Sequence, residues 1–191
     1  SGSHGGILNF TAADFVETLP QILEGNFRVE EWTLLEVQVG DRPPVLTVSE
    51  VYLGERDATD FSGNHIEVGG VSFRHAGSGT IVATGAGTSR GSWFESAAYS
   101  IQGCKPARPT KRQMHMVNRE HNMAREDHFP YRCASFADDC TMKITSMNDS
   151  EGIVRIDSIK DHPFTLPFPQ GEVATVRVAK ETVRVVVNPL R

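Results

Sequence analysis

Phe15, Leu19, Ile22 and Leu23 recur at spacings of three and four, the period that gathers side chains on one helical face. Thr11 and Asp14 open this stretch with a capping-box pattern and Gly25 supplies a stop, so a helix is expected over Thr11–Glu24. Pro20 inside it predicts a break or kink. From Trp32 the period shortens to two. Leu35, Val37 and Val39 alternate with polar neighbours, and Asp41-Arg-Pro-Pro44 makes a turn before a strand over Val45–Leu53. Ile66–Val68 and Val71–Phe73 flank Gly69-Gly70, a hairpin signal. Further short runs lie at Thr80–Thr84, Met114–Val117, Met142–Ile144, Ile153–Ile156, Val173–Val178 and Thr182–Val187. After Ser92, a second short helix is expected because Trp93, Phe94, Ala97, Ala98 and Ile101 share a face. The pattern predicts a mainly β chain, an irregular β-sandwich or barrel of about nine or ten strands with one or two helices.

Composition narrows the class. The chain has 191 residues, 39% of them hydrophobic, enough to bury one core and to exclude a disordered tail. Nineteen Lys+Arg against 24 Asp+Glu leave a net charge of −5, without the basic surplus that phosphate-backbone binding to nucleic acid needs. No run approaches the ~18 apolar residues of a membrane span, so no membrane partner is expected. Cys104, Cys133 and Cys140 cannot all pair and form no C-x-x-C, which predicts buried or free thiols in a reducing compartment. Ser1–Gly6 reads as a tag remnant or flexible lead-in, and Gly103–Arg112, basic and proline-bearing, as a solvated connection.

One segment differs from the rest. In GSGTIVATGAGTSRGSW, running from Gly77 to Trp93, glycines interleave with Ser and Thr around Ile81-Val82. A strand leads into a glycine turn and then a helix start, which lets backbone N–H groups and short hydroxyls come close to a ligand. A tight turn with no ligand has the same composition. The segment matches neither the P-loop nor the dinucleotide G-x-G-x-x-G spacing.

This run resembles the NAD-binding segment of NAD kinases, written GDGLIVSTPTGSTAY or, in another branch, SGLxLxTGTGSxAW. Flanking features follow in the family's order: Gln21–Phe27 resembles its "il.G.f" turn, Leu34–Val37 its first long strand, and Val48-Ser-Glu-Val51 its L-N-E-V. Arg119-Glu120 stands where one branch has R-E-P, and Ile156-Asp157 where the family has a late "DG" turn. Ser49 replaces the family's Asn, Ser78 the Asp of G-D-G, and Ser158 the Gly of "DG"; Thr88–Trp93 is a residue or two longer than the motif. The family's G-G-D-G, which grips ATP phosphates and carries the presumptive general base, has no counterpart here.

The resemblance implies an NAD-binding β domain over 11–191, with residues 1–10 a link from an N-terminal α/β domain. In the family the γ-phosphate of ATP, or of polyphosphate in some members, passes to the adenosine ribose 2′-hydroxyl of NAD to make NADP, with Mg2+ bridging the phosphates. Carried over by motif, the NAD-binding residues are Ser49, Glu50, Thr84, Gly85, Gly87, Thr88, Ser89, Trp93 and Asp157. No catalytic or metal-ligating residue falls in this chain. The family is cytoplasmic, or mitochondrial in some eukaryotes, and forms homodimers or homotetramers in which a neighbour completes the NAD pocket. Two other readings stay open: a lipid-kinase relative, against which the T-G-x-G-[ST] turn weighs, and a non-catalytic nucleotide sensor, which Ser49 and Ser158 favour.

Outside that motif, His115, His121 and His128 with Glu120, Glu126 and Asp127 fit no zinc spacing, and solvated histidines are expected there. Asp138-Asp139 reads as a polar turn, and Asp161 and His162 join Asp157 as candidates near the "DG" turn. No G-x-S-x-G elbow supports a hydrolase.

Overall fold

Alternation governs which face each strand buries, and it does so in a computed structural model that describes residues 10–57, 59–89, 91–121, 130–160 and 163–187. The expectations for residues 1–9, Glu126, Asp127, His128, Asp161 and His162 concern positions outside the described residues. A helix α1 (Ala12–Leu23) precedes β1 (Arg28–Val39), β2 (Val45–Thr47), β3 (Glu50–Glu55), β4 (Ser62–Val68), β5 (Val71–Gly77) and β6 (Thr80–Ala83). A short helix α2 (Trp93–Ala98) follows, then β7 (Gln113–Asn118), β8 (Cys133–Ala137), β9 (Thr141–Ser146), β10 (Gly152–Ile156), β11 (Thr165–Pro167) and β12 (Val173–Val187).

The strands form two six-stranded sheets, ordered β2-β1-β12-β9-β4-β5 and β11-β10-β3-β6-β7-β8. Each described pairing is antiparallel. The sheets close over one core, to which Leu35, Val37, Ile66, Ile144 and Val176 contribute from the first and Val51, Leu53, Val82, Met116 and Val154 from the second. The outer face of the second sheet is covered too. Tyr52, Ile81, Val117 and Ile153 pack there against Phe94 and Ala98 of α2. The mainly β sandwich expected from the pattern is the fold observed.

Several boundaries differ from the expectation, each for a local reason. The strand expected over 45–53 is two strands in different sheets, because the chain crosses between sheets at Val48-Ser49. The two runs expected at 173–178 and 182–187 are one strand. Its pairing with β1 shifts register between Thr33 and Leu35, so Ala179-Lys180-Glu181 is absorbed as an irregularity, and Arg112 Nη2 donates to Ala179 O at 2.9 Å. Strands β8 and β11 are not among the expected runs; they are the two edges of the second sheet, and β11 has only three residues. Pro20 does not break α1, which runs through it. The carbonyl that Pro20 leaves without an N–H belongs to Val16, a residue 70% exposed, so its loss of a helical partner is not a buried one.

Thr11 and Asp14 make the expected capping box. Gly25 (φ +82°) ends α1, with Gly25 N donating to Ile22 O and Asn26 N to Gln21 O. The apolar stripe it carries is largely uncovered, with Phe15 at 46% and Leu23 at 79% exposure.

The cysteine expectation is corrected. Cys104 and Cys133 form a disulfide across a sequence separation of 29, and Cys140 is free. The fold places the chain after α2 beside β8, with the two Cα atoms 5.8 Å apart, inside the range a disulfide spans. Spacing along the sequence carried no sign of it, and with two of the three cysteines paired the thiols no longer point to a reducing compartment.

A buried polar chain ties the sheets together. Asn64 of β4 donates to Leu53 O at 3.1 Å and to the Thr80 hydroxyl at 3.3 Å, and that hydroxyl donates to Asn118 Oδ1 at 2.7 Å. Asn118 Nδ2 donates in turn to Tyr131 O at 2.8 Å. Thr80→Val keeps the shape but strands two amide groups, and is expected to lower stability by about 1–3 kcal/mol in urea unfolding. A loss within experimental error would show that the chain contributes nothing.

Candidate functional site

Strand β3 lies between β6 and β10 and runs antiparallel to both, so the start of β3 meets the ends of its neighbours. In register terms, Glu50 pairs with Ala83 and Val51 with Ile156. Three pieces of sequence singled out for the same role thereby converge: Ser49-Glu50, the turn over 84–89, and Asp157.

Hydrogen bonds fix the convergence. Thr84 N donates to Ser49 O at 2.8 Å, and the Thr84 hydroxyl donates to Val48 O at 2.7 Å while accepting from Gly87 N at 3.1 Å. Asp157 Oδ1 accepts from Ser49 N at 2.8 Å and from the Thr47 hydroxyl, and its Oδ2 accepts from Val48 N at 3.3 Å. Asp157 N donates to Glu50 O at 2.8 Å. The buried Glu50 carboxylate accepts from the Ser158 hydroxyl at 2.7 Å and from the Ser49 hydroxyl.

The glycines of the turn have a specific cause. A Cβ on Gly87 would stand 2.1 Å from Ser49 O, and one on Gly85 would stand 2.1 Å from Arg108 O. Gly85 has helical φ (−58°), and the turn continues as a single 3-10 turn, Ala86–Thr88. Backbone crowding within the chain, rather than left-handed geometry, therefore accounts for both glycines. The Thr88 hydroxyl donates to Gly85 O at 2.8 Å and accepts from Ala107 N at 2.8 Å. Pro109 O accepts from Thr33 N at 2.9 Å. The segment 103–112 expected as a solvated connection thus docks its backbone under the turn while Lys105, Arg108 and Thr110 stay exposed.

Exposure sorts the sequence-predicted residues. Thr84, Gly85, Gly87, Thr88, Ser49 and Glu50 are buried and build the frame, and Asp157 is half-buried with its carboxylate spent on the crossing. Ser89 is half-buried. Trp93 is 41% exposed and stands edge-on to Tyr52, with ring centres 5.9 Å apart. A cavity of about 190 Å³ opens beside the turn against Thr88, Phe94, Glu95 and Pro106. Ser158 holds a left-handed φ of 57°, where glycine is at ease and another residue is strained by roughly 1–2 kcal/mol. Its bond to Glu50 offsets part of that strain. Thr47 and Ala107 also belong to the frame, and sequence reading missed them because their partners lie far away along the chain.

Of the histidines expected to be solvated, His115 and His121 are buried. His115 sits on β7 with its Nδ1 2.8 Å from the Ser135 hydroxyl. Burial, with Lys111 nearby, pulls its pKa from 6.5 to about 4. His121 is buried against His75, whose Nε2 lies 3.1 Å from Gly79 O. Burial, then the His121 neighbour, holds the His75 pKa at about 3. Among the described residues, no three His, Cys, Asp or Glu side chains gather to hold a metal ion. No described helix is long and apolar enough to cross a membrane.

No protein-family model matches the sequence, and no curated protein matches it either. Among solved structures, yeast NADH kinase complexed with NADH is similar over 98% of this chain, with a TM-score of 0.75 and 14% identity. The chain spans about half of that protein, 52% of its length. This chain has an NAD kinase-like fold, and at that identity the likeness speaks to fold alone.

Two outcomes follow from the geometry. Gly87→Ala forces a methyl group into Ser49 O and is expected to destabilise the protein by about 1–3 kcal/mol or more, with or without ligand; unchanged stability in thermal unfolding would contradict the close approach. His75 and His115 stay neutral in the folded protein while the unfolded chain protonates below pH 6.5. Their contribution is complete above pH 6.5 and declines as the pH falls from there, toward about 4 for His115 and about 3 for His75. His115→Gln should flatten that decline in unfolding midpoints measured across this window, and a slope equal to the parent's would remove His115 from the account.

Proposed function

We propose that this chain is the acceptor-binding β domain of an NAD kinase-like enzyme, holding NAD so that its adenosine 2′-hydroxyl faces a separate domain that carries the phosphoryl donor. One observation carries the reading. The positions that match the family's motifs, far apart in sequence, meet at one end of one sheet on a fold shared with an NADH kinase.

The residues at that end suit a dinucleotide. A carboxylate offers about four lone-pair sites, and the two hydroxyls on Glu50 leave room for ribose hydroxyls. Ser89 adds a half-buried hydroxyl at the turn's exit, and Trp93, 41% exposed, follows at the start of α2. The framework beneath is buried and hydrogen-bonded throughout, so the acceptor would be oriented without much reordering of the protein, which is how positioning lowers a phosphoryl-transfer barrier.

Mg2+ and ATP do not fit this chain. Its described residues gather no metal-ligand group, and no Lys follows the glycine turn. No step through either is assigned to residues 10–187; both belong with the donor domain. A homodimer or homotetramer is part of the same proposal, and the uncovered Phe15, Val16 and Leu23 stripe is surface that such an assembly or the donor domain would bury.

Calorimetric titration with NAD tests the reading. Glu50→Gln keeps an acceptor for one serine hydroxyl and removes the charge, and is expected to weaken NAD binding by about 1–3 kcal/mol with the circular dichroism spectrum unchanged. No NAD binding by the folded parent protein would overturn the proposal, and equal binding by the variant would leave Glu50 a structural strand-end residue.

A further inference from the structure

The far end of β6 carries an arrangement that the proposed function does not use. Thr80 there pairs with Asn118, three pairs along from Ala83 and His115. The chain enters β6 through Gly77, Ser78 and Gly79 and leaves β7 through Arg119 and Glu120. Arg119 N donates to Gly79 O at 2.9 Å, and Arg119 O accepts from Ser78 N at 3.1 Å, so the Arg119 backbone is held on both sides. The fit is close enough to require glycine. A Cβ on Gly77 would lie 2.5 Å from Arg119 O, and Gly79 has φ +91°. Arg119 Nη1 also donates to Ser78 O at 3.3 Å.

Arg132 approaches from the other side on an equally fixed backbone. Asn118 N donates to Arg132 O at 2.9 Å, and the adjoining Cys133 is tied to Cys104. Arg119 and Arg132 line one cavity of about 310 Å³, with Ser96, Ser100 and Glu120 also in its wall. Among the described residues, neither arginine has a carboxylate within ion-pair distance. Glu120 is occupied, its carboxylate accepting from the Ser78 hydroxyl. It also holds φ 45°, a left-handed conformation uncommon outside glycine. Backbone strain of that kind gathers at ligand sites, where the surrounding structure over-determines it.

We propose that this pocket binds a phosphomonoester carried on a small hydroxylated body, a sugar phosphate. Two guanidiniums that pair with no carboxylate among the described residues match the several acceptor oxygens of one phosphate, and their fixed backbones reduce what binding must order. The cavity is larger than a bare phosphate and sits at the small end of ligand-site volumes. Serine hydroxyls and the Glu120 carboxylate suit the hydroxyls of the sugar, and Glu120 disfavours a second anionic group. The site stands apart from Glu50 and does not rest on NAD binding.

The test is an amide NMR titration of the folded chain with ribose 5-phosphate, with ribose and inorganic phosphate as controls. Saturable shifts confined to residues 96–101, 118–120 and 132, tighter for the ester than for either control, are expected. Arg132 is exposed, so Arg132→Gln should fold like the parent yet bind the ester about tenfold or more weakly, as the loss of a charge-assisted contact implies. Arg119→Gln should weaken it at least as much. No saturable shift, shifts centred elsewhere, ribose binding as tightly as its phosphate, or Arg132→Gln binding as tightly as the parent would overturn the proposal.

Discussion

The peptide at Ser49 is where the two sheets and the candidate site are joined. Its carbonyl accepts from Thr84 N, at the exit of β6, and its N–H donates to Asp157, at the exit of β10. Between these two bonds the chain passes from one sheet to the other. A crossing of this kind leaves peptide groups that no ladder satisfies, and buried peptide groups must be satisfied somewhere. Asp157 and Thr84 do so, and in doing so they bring β3, β6 and β10 to a common end. The site is a consequence of how the crossing is hydrogen-bonded.

That constraint explains the glycine-rich segment better than a ligand does. Gly87 lets the turn lie against Ser49 O, and Gly85 lets Arg108 O lie against the turn. At the segment's other end, Gly77 admits the Arg119 carbonyl. Each glycine permits one backbone to touch another, so a run of small residues marks a place where three stretches of chain stack closely. Under the proposed function a dinucleotide at this end would meet a prebuilt surface, with Ser89 half-buried and the Glu50 carboxylate buried beneath it.

The alternation of Leu35, Val37 and Val39, the Gly69-Gly70 hairpin and the Ser92 helix start were all legible, because each depends on neighbours a few residues away. What sequence could not show was set by distance along the chain. The break at Val48-Ser49 comes from Asp157, more than a hundred residues on, and the Cys104–Cys133 pair appears only once β8 is placed beside α2. The histidines were misjudged for the same reason. Nothing local to His115 or His121 says that a strand partner or a second imidazole buries them. For the site, Ser49, Glu50, Thr84 and Asp157, chosen by the family resemblance, are hydrogen-bonded around one crossing, but the resemblance did not separate those that frame it from residues such as Trp93 that face solvent.

Hydrogen exchange of the folded chain with and without NAD bears most directly on the claim that the crossing end holds the dinucleotide. Amides at 48–50, 84–89 and 157–158 should gain protection on adding NAD, with little change at the far end of β6. Protection that appears elsewhere, or nowhere while NAD is demonstrably in excess, would contradict the account.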